Sequence, residues 1–138
     1  MITSHSKMKA IAIIALVALS GCSRPRFDRP DEAYKSFSSA LRKQDLKGAW
    51  DALSADTKKA MEAKSKAVAA ASGGSVKDEP MLMLFASGYK PLPQGDLKVA
   101  KEEGQIAVVE VAVGGATQSQ KMIREGDRWA VDLTGVLE

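Results

Sequence analysis

The chain has 138 residues, with 20 Lys and Arg against 17 Asp and Glu and a formal net charge of +3. This length suits one domain with a modest hydrophobic core. A single cysteine, Cys22, excludes an internal disulfide. The first 29 residues hold five of the basic residues and one of the acidic ones, which leaves 15 against 16 for the remainder. The basic total is therefore no argument for a nucleic-acid partner, and we expect none.

The N-terminus carries the pattern of a secretory signal. Lys7 and Lys9 precede an apolar run over residues 10–19, and small residues then lead into the cysteine. This run is about half of the ~20 apolar residues that a membrane-spanning helix needs. The closing residues, Leu19-Ser20-Gly21-Cys22, resemble a bacterial lipobox. An ordinary secretory signal cut elsewhere, with a free thiol at the cysteine, is the alternative interpretation.

The lipobox resemblance implies cleavage between Gly21 and Cys22 and a diacylglycerol thioether on Cys22. It divides the chain into a lipoprotein signal peptide (residues 1–21), a lipidated tether (22–29) and a domain (30–138). A serine directly after the lipidated cysteine is typical of lipoproteins sorted to the outer membrane. We therefore expect a lipid-anchored protein of the bacterial envelope that faces the periplasm.

Three helices are predicted in the first half of the domain. Residues 30–44 have apolar side chains at helical spacing, and Asp28 is placed to cap the first turn. Asp45 is expected to cap a second, shorter helix, and Ser54 a third that ends near Ser72. The lysines of the third helix are interleaved with acidic residues, which indicates a solvated face rather than one that binds nucleic acid or membrane.

Residues 81–85 form a short apolar segment between Pro80 and Gly88. The segment is apolar on all sides and too short to span a bilayer, which favours a buried turn that closes one end of the core. A pliable, Met-lined mouth for a ligand is the alternative, because methionine adapts to irregular surfaces.

The hydrophobic period changes to that of β-strands from Asp96 onward. Alternation over residues 97–103, 117–124 and 129–133, with a long β-branched run over residues 106–113, predicts four consecutive strands joined by short turns. Helices first and strands last define an α+β domain, with the N-terminal helices packed on one face of a curved, four-stranded antiparallel sheet.

Three stretches near the two ends of the domain carry a further pattern. They are Asp31-Glu32-Ala33 with Phe37 and Leu41, Gln44-Asp45-Leu46 with Trp50, and Glu125-Gly126-Asp127-Arg128-Trp129-Ala130-Val131-Asp132. These stretches resemble small bacterial lipoproteins with a nuclear transport factor 2-like, or cystatin-like, cone fold. Residues 58–93 match only in outline. The resemblance implies the cone fold, and it transfers no catalytic set because many of these families have no assigned function.

Composition argues against most enzyme chemistry. The domain has no histidine and, once Cys22 is lipidated, no free thiol, so we expect no metal, no cofactor and no nucleophilic triad. Carboxylate chemistry is the alternative, because some cone-fold relatives are isomerases or dehydratases with an Asp base in an apolar cavity. Asp132 or Glu110 with Tyr34 would supply that pair. Strand alternation directs both carboxylates away from the helices, which favours a non-catalytic domain.

The expected function is therefore binding. A small apolar ligand would lie between the helices and the sheet, in a cavity bordered by aromatic side chains and one methionine, whereas a pure interaction module would fill that space completely. The residues concerned are Tyr34, Phe37, Trp50, Met83 and Trp129.

The second strand predicts another binding surface. Alternation assigns the odd-numbered residues from Ala107 to Val113 to the core. Ile106, Val108 and Glu110 then face outward, where an antiparallel sheet normally presents polar side chains to water. A second copy of the chain or another envelope protein would cover this face. The alternative is that these are ordinary scattered surface aliphatics, which need no partner.

Overall fold

The structure, a computed structural model, describes residues 26–138. The signal peptide, with Gly21, and residues 22–25 of the tether, with Cys22, therefore lie outside the described residues. The helices are α1 (Pro30–Arg42), α2 (Leu46–Asp51), α3 (Ala55–Ala71), α4 (Met83–Ala86) and α5 (Thr134–Leu137), with a 3-10 turn at Pro80–Leu82. The strands are β1 (Leu97–Glu103), β2 (Ile106–Val113), β3 (Ala116–Glu125) and β4 (Arg128–Val131). The predicted α+β class is confirmed.

Helix α1 forms because its apolar side chains share one face and its first turn suits the helix dipole. Asp31 and Glu32 lie in that turn, next to the positive end of the helix. The predicted cap is wrong: Arg29, not Asp28, occupies the N-cap position, and its side chain makes no capping hydrogen bond. Pro30 starts the helix, where its missing N–H costs nothing.

The end of α1 fixes the direction of α2. Gln44 has a φ of 58°, in the left-handed region. The Asp45 N–H donates to the Ala40 carbonyl at 2.9 Å, and the Gln44 N–H donates to the Leu41 carbonyl at 3.1 Å. This pair of bonds is a Schellman motif, which terminates the helix and turns the chain sharply.

The two predicted helix caps after this turn are confirmed. The Asp45 carboxylate accepts a hydrogen bond from the Gly48 N–H at 2.9 Å, and the Ser54 hydroxyl accepts one from the Thr57 N–H at 3.2 Å. Each bond satisfies a backbone donor that would otherwise be unpaired at a helix start. Helix α3 ends at Ala71, with Ser72 as its C-cap.

The four predicted strands form one antiparallel sheet in the order β1-β2-β3-β4. A bulge between Val99 and Lys101 interrupts the register of β1, which is an edge strand. At the other edge, Leu53 forms a parallel bridge with Val131, so the segment between α2 and α3 continues the sheet beyond β4. Helix α1 contacts β1, β2 and β4, α2 packs on α1, and α3 packs against α5 and the 3-10 turn.

The core lies between α1 and the sheet. Ala107, Val109 and Val111 are fully buried, as alternation predicts. The assignment of Val113 to the core is wrong, because this last residue of β2 is 44% exposed. Helix α5, which follows β4, was not predicted.

The apolar segment at residues 81–85 is only partly a buried plug. Met83 and Leu84 are buried, whereas Met81, Leu82 and Phe85 are exposed, Phe85 by 56%. The prediction that the segment is buried on all sides is therefore wrong. Both buried side chains belong to α4, whereas the 3-10 turn before it contains no buried residue.

Candidate functional site

The residues predicted to border a cavity lie in or beside the packed core. Trp50 is half-buried at the margin of the core cluster. The other four are buried, and they are Tyr34, Phe37, Met83 and Trp129. The centroid of the Phe37 ring lies 6.0 Å from that of Tyr34 and 5.9 Å from that of Tyr89, with the rings tilted. Such tilted pairs are a favourable packing of aromatic rings.

A chain of polar side chains crosses this apolar core. Gln120 is buried in β3, where its side-chain carbonyl accepts a hydrogen bond from the Tyr89 hydroxyl at 3.1 Å. Its amide donates to the backbone carbonyl of Asp132 at 2.8 Å. The hydroxyls of Tyr89 and Tyr34 are 3.3 Å apart, and the Tyr34 oxygen accepts the backbone N–H of Leu92 at 2.6 Å. This chain ties the connection between α4 and β1 to both α1 and the sheet.

The two phenols stay neutral in this setting. Burial raises the pKa of Tyr34, and burial together with the neighbouring Tyr34 raises the pKa of Tyr89. Both hydroxyls are therefore hydrogen-bond donors as well as acceptors at neutral pH. Neither Tyr89 nor Gln120 is among the residues predicted from the sequence. The available signal is a glutamine at a core-facing position of β3, two residues before Met122.

Asp132 occupies a second polar cluster, at the end of β4. Its Oδ1 accepts hydrogen bonds from the Thr57 hydroxyl at 3.3 Å, the Thr134 hydroxyl at 2.8 Å and the Thr134 N–H at 3.1 Å. Its Oδ2 lies 3.2 Å from the Lys121 ammonium. The prediction that this side chain points away from the helices is wrong, because it is buried against the first turn of α3.

The same contacts set the acidity of Asp132. Burial by itself raises the pKa, but the hydrogen bonds from Thr134 and the ion pair with Lys121 outweigh burial and hold the pKa of Asp132 below its usual value. A general base works best with a pKa near the operating pH. The pKa of this carboxylate is shifted the other way. The hydrogen-bonded chain from Tyr34 through Tyr89 and Gln120 ends on the backbone carbonyl of Asp132 and does not include its carboxylate.

Glu110, the other candidate carboxylate, faces outward as predicted. It is half-buried, and its Oε2 lies 3.9 Å from the ammonium of Lys98 on the neighbouring strand. Cross-strand pairs of opposite charge are a common stabilising feature of exposed sheet faces. Its position on the outer face separates it from Tyr34, which is buried in α1.

The outer face of the sheet carries apolar side chains in its first two rows. Ile106 is 47% exposed and pairs across the strands with Ile123, which is half-buried. In the next row, the half-buried Val108 lies between Lys101 on β1 and Lys121 on β3. We refer to Ile106, Val108 and Ile123 as the outer apolar patch.

Two open grooves lie elsewhere on the described surface. One, of about 300 Å³, runs between residues 26–27 and the helices α1 and α2, and charged side chains of both signs line it. The other, of about 200 Å³, lies between the C-terminal end of α1 and residues 84–91. We call it the α1 groove; it is lined by Leu41, Arg42, Leu84, Phe85, Tyr89 and Pro91. Neither groove is lined by the five residues predicted to border a cavity.

Two features of residues 26–138 bear on metal and membrane binding. No group of three or more His, Cys, Asp or Glu side chains there is arranged to hold a metal ion. Within the same range, no helix is long and apolar enough to cross a bilayer.

Comparisons with known proteins add no relative. No protein-family model, curated protein or solved structure matches the chain. The fold and the local geometry therefore carry the functional argument.

Proposed function

We propose that the protein is a lipid-anchored lipoprotein of the bacterial outer membrane, with a periplasmic domain that binds a partner and does not catalyse a reaction. The signal pattern that ends in Gly21 and Cys22 supports the anchor. A tether over residues 22–29 reaches at most about 28 Å when fully extended. The domain, whose first helix starts at Pro30, would therefore stay close to the membrane surface.

We also propose that the domain has the nuclear transport factor 2-like cone fold. The supporting features are the four-stranded meander, α1 across one face of it, and the bulge in β1, since a bulge bends its strand and increases the local twist. The similarity of the opening helices and the closing hairpin to lipoproteins of this kind points in the same direction.

The outer apolar patch is the observation that favours binding to a protein. Ile106 is 47% exposed, and Val108 and Ile123 extend the apolar surface across two strands. Scattered exposed aliphatics need no explanation, but adjacent ones on a sheet face are typical of interaction sites. The lysines beside Val108 would form a charged rim that sets the orientation of the partner. The partner is a second copy of the chain or another envelope protein.

The anchor is tested by Cys22→Ser in the full-length chain. The thiol is the acyl acceptor on which processing depends, so the variant should incorporate no radiolabelled fatty acid and should keep its signal peptide. The matched control is Ser23→Ala, which leaves the acceptor in place. Unchanged labelling and an unchanged mature size in the Cys22→Ser protein would show that the lipobox interpretation is wrong.

The outer apolar patch is tested by Val108→Glu. A glutamate at this position lies opposite Lys101 and Lys121, so the sheet keeps favourable cross-strand pairs while the patch loses its apolar centre. Thr117→Glu is the control, since Thr117 is exposed on the same face in the row of Ala112.

The measurement uses a chain that begins at Ser23, because the core cluster is built from residues between Phe27 and Leu137. Sedimentation velocity of this chain reports self-association, and crosslinking of the full-length protein in intact cells reports an envelope partner. Val108→Glu should reduce one of these signals at least tenfold, and Thr117→Glu should leave it unchanged. A parent that is strictly monomeric and forms no crosslink from this face would overturn the interface.

A cavity enzyme of the isomerase or dehydratase type is the alternative function. It would need Asp132 or Glu110 close to Tyr34, and the distances and burial described above favour neither pair. The discriminating experiment is solvent deuterium exchange at a carbon next to a ketone. Exchange that Glu110→Gln or Asp132→Asn abolished would contradict the non-catalytic proposal.

A further inference from the structure

The α1 groove combines apolar walls with one cation. Leu41, Leu84, Phe85 and Pro91 provide the walls, and Arg42 stands at the edge, in the last turn of α1. The exposed Phe85 side chain leaves one wall open to an incoming molecule. A concave apolar surface with a few polar groups that fix orientation is the usual form of a small-molecule site.

Arg42 has capacity for an anion. Its guanidinium donates a hydrogen bond to the Ser38 hydroxyl at 3.3 Å. The ion pairs among residues 26–138 do not include Arg42, so no described carboxylate lies within 4.0 Å of it. A guanidinium offers five N–H donors and binds a carboxylate through two of them at once.

The other polar residue in the groove lining, Tyr89, already uses its hydroxyl in hydrogen bonds. The Tyr89 hydroxyl is engaged with Gln120 and Tyr34, so this residue presents its ring rather than its oxygen to the groove. Arg42 is therefore the group that selects the charge of a ligand. The same hydrogen bonds hold the wall that contains Tyr89 in place.

The volume limits the size of the ligand. About 200 Å³ corresponds to roughly seven water molecules at ~30 Å³ each. This is below the roughly 300–1,000 Å³ of sites that enclose drug-sized molecules. The groove can bury a short hydrocarbon chain whose polar end remains at the solvent boundary.

We infer that the α1 groove binds an amphipathic carboxylate, such as a medium-chain fatty acid, with its alkyl chain between Leu41 and Phe85 and its carboxylate on Arg42. This inference goes beyond the proposed binding of a protein partner and names the class of a second, small-molecule ligand. It does not depend on the lipid anchor, and it places the ligand outside the packed core rather than inside it.

The probe is octanoate, with 1-octanol as the uncharged molecule of equal chain length. Binding to the chain that begins at Ser23 is followed by backbone amide shifts in two-dimensional NMR spectra. Octanoate should shift the amides of Leu41, Leu84 and Phe85 and leave those of β1 unchanged. Octanol should shift the same amides at higher concentration.

Variants distinguish the contribution of the Arg42 charge from that of the apolar walls. Arg42→Gln should weaken octanoate about tenfold, which corresponds to ~1.4 kcal/mol, and should leave octanol unchanged. Arg42→Lys should restore part of the octanoate affinity because it keeps the charge. Lys43→Gln, next in sequence and outside the groove lining, is the matched control and should have no effect. Thermal unfolding of each variant confirms that the exposed substitutions leave the domain folded.

Three results would overturn the inference. They are the absence of groove shifts at millimolar octanoate, equal losses for octanoate and octanol in Arg42→Gln, and a loss of octanoate binding in Lys43→Gln as large as that in Arg42→Gln. None of them affects the anchor or the outer apolar patch. Conversely, a failed Cys22→Ser test would leave the octanoate result standing, so the two sets of outcomes are distinguishable.

Discussion

Asp132 should contribute more to stability than any exposed carboxylate of the domain. It is buried, and three of its four donors converge on Oδ1, two from Thr134 and one from Thr57. Asp132→Asn keeps an oxygen for these donors, but it loses the negative charge and turns an amide toward Lys121. Asp132→Ala removes the acceptor for all of them.

The expected losses follow from these contacts. Lys121 is half-exposed, so its ion pair contributes little, and the Asn variant should lose about 1 kcal/mol. The Ala variant leaves the buried Thr57 hydroxyl and the partly buried Thr134 N–H without their acceptor, and a buried group left unpaired costs about 1–3 kcal/mol. Because the half-buried Thr134 hydroxyl can rotate to bind water instead, we expect Asp132→Ala to lower the free energy of unfolding by about 3 kcal/mol in total. At ~4 °C per kcal/mol, the unfolding midpoint should fall by about 4 °C in Asp132→Asn and by about 12 °C in Asp132→Ala.

The stabilisation should also depend on pH. The pKa of Asp132 is lower in the folded than in the unfolded chain, so its contribution is complete above the unfolded value of about 3.9 and is lost as the pH falls through the folded value. The stability difference between the parent and Asp132→Asn should therefore shrink between pH 5 and the acid limit, roughly pH 2.

The assay is urea unfolding of the parent and both variants at several pH values. Asp127→Asn, in the exposed turn between β3 and β4, is the control and should change stability by less than about 0.5 kcal/mol. An Ala variant as stable as the parent, or a difference that grows toward low pH, would refute the role assigned to the cluster.

Two further predictions concern the core and the end of α1. Trp129→Ala should destabilise the domain by about 3–5 kcal/mol, because it empties a buried site between α1 and the sheet; an unchanged calorimetric midpoint would place the ring outside the core. Gln44→Gly should raise the free energy of unfolding by about 0.5–1 kcal/mol, because glycine relieves the left-handed conformation at a φ of 58°. The control Lys43→Gly, at a φ of −84°, should lower it, and a gain for both substitutions in urea titrations would contradict this explanation.

Local patterns in the sequence predicted most of the elements because the determinants are local. The caps at Asp45 and Ser54 depend on residues three positions away, and the limits of β2 follow from its β-branched run and the glycine turns on either side of it. Helix α5 was not predicted because a four-residue helix is too short to show a hydrophobic period. Val113 was misassigned because alternation gives the face of a residue and says nothing about how far α1 covers that face.

Asp132 was misplaced for a related reason. Strand β4 ends at Val131, so alternation no longer governs the next residue, and the parallel bridge between Leu53 and Val131 brings the first turn of α3 to that point. The contact between Tyr34 and Tyr89 joins residues 55 positions apart. Such long-range pairs have no signature in one sequence, and they determine which polar side chains are available for chemistry.

The same long-range pairs explain how the domain keeps apolar side chains exposed. Burying a side chain such as Phe85 or Leu82 would stabilise the fold by about 1.5–3 kcal/mol, which favours collapse of this segment onto the core. The hydrogen bonds of Tyr89 and of the Leu92 N–H fix the segment's C-terminal side to the sheet and to α1. These bonds fix the backbone downstream of α4, and Phe85 lines the α1 groove beside Tyr89. Because Tyr89 belongs both to the buried polar chain and to the groove lining, the core hydrogen bonds position one wall of the proposed ligand site.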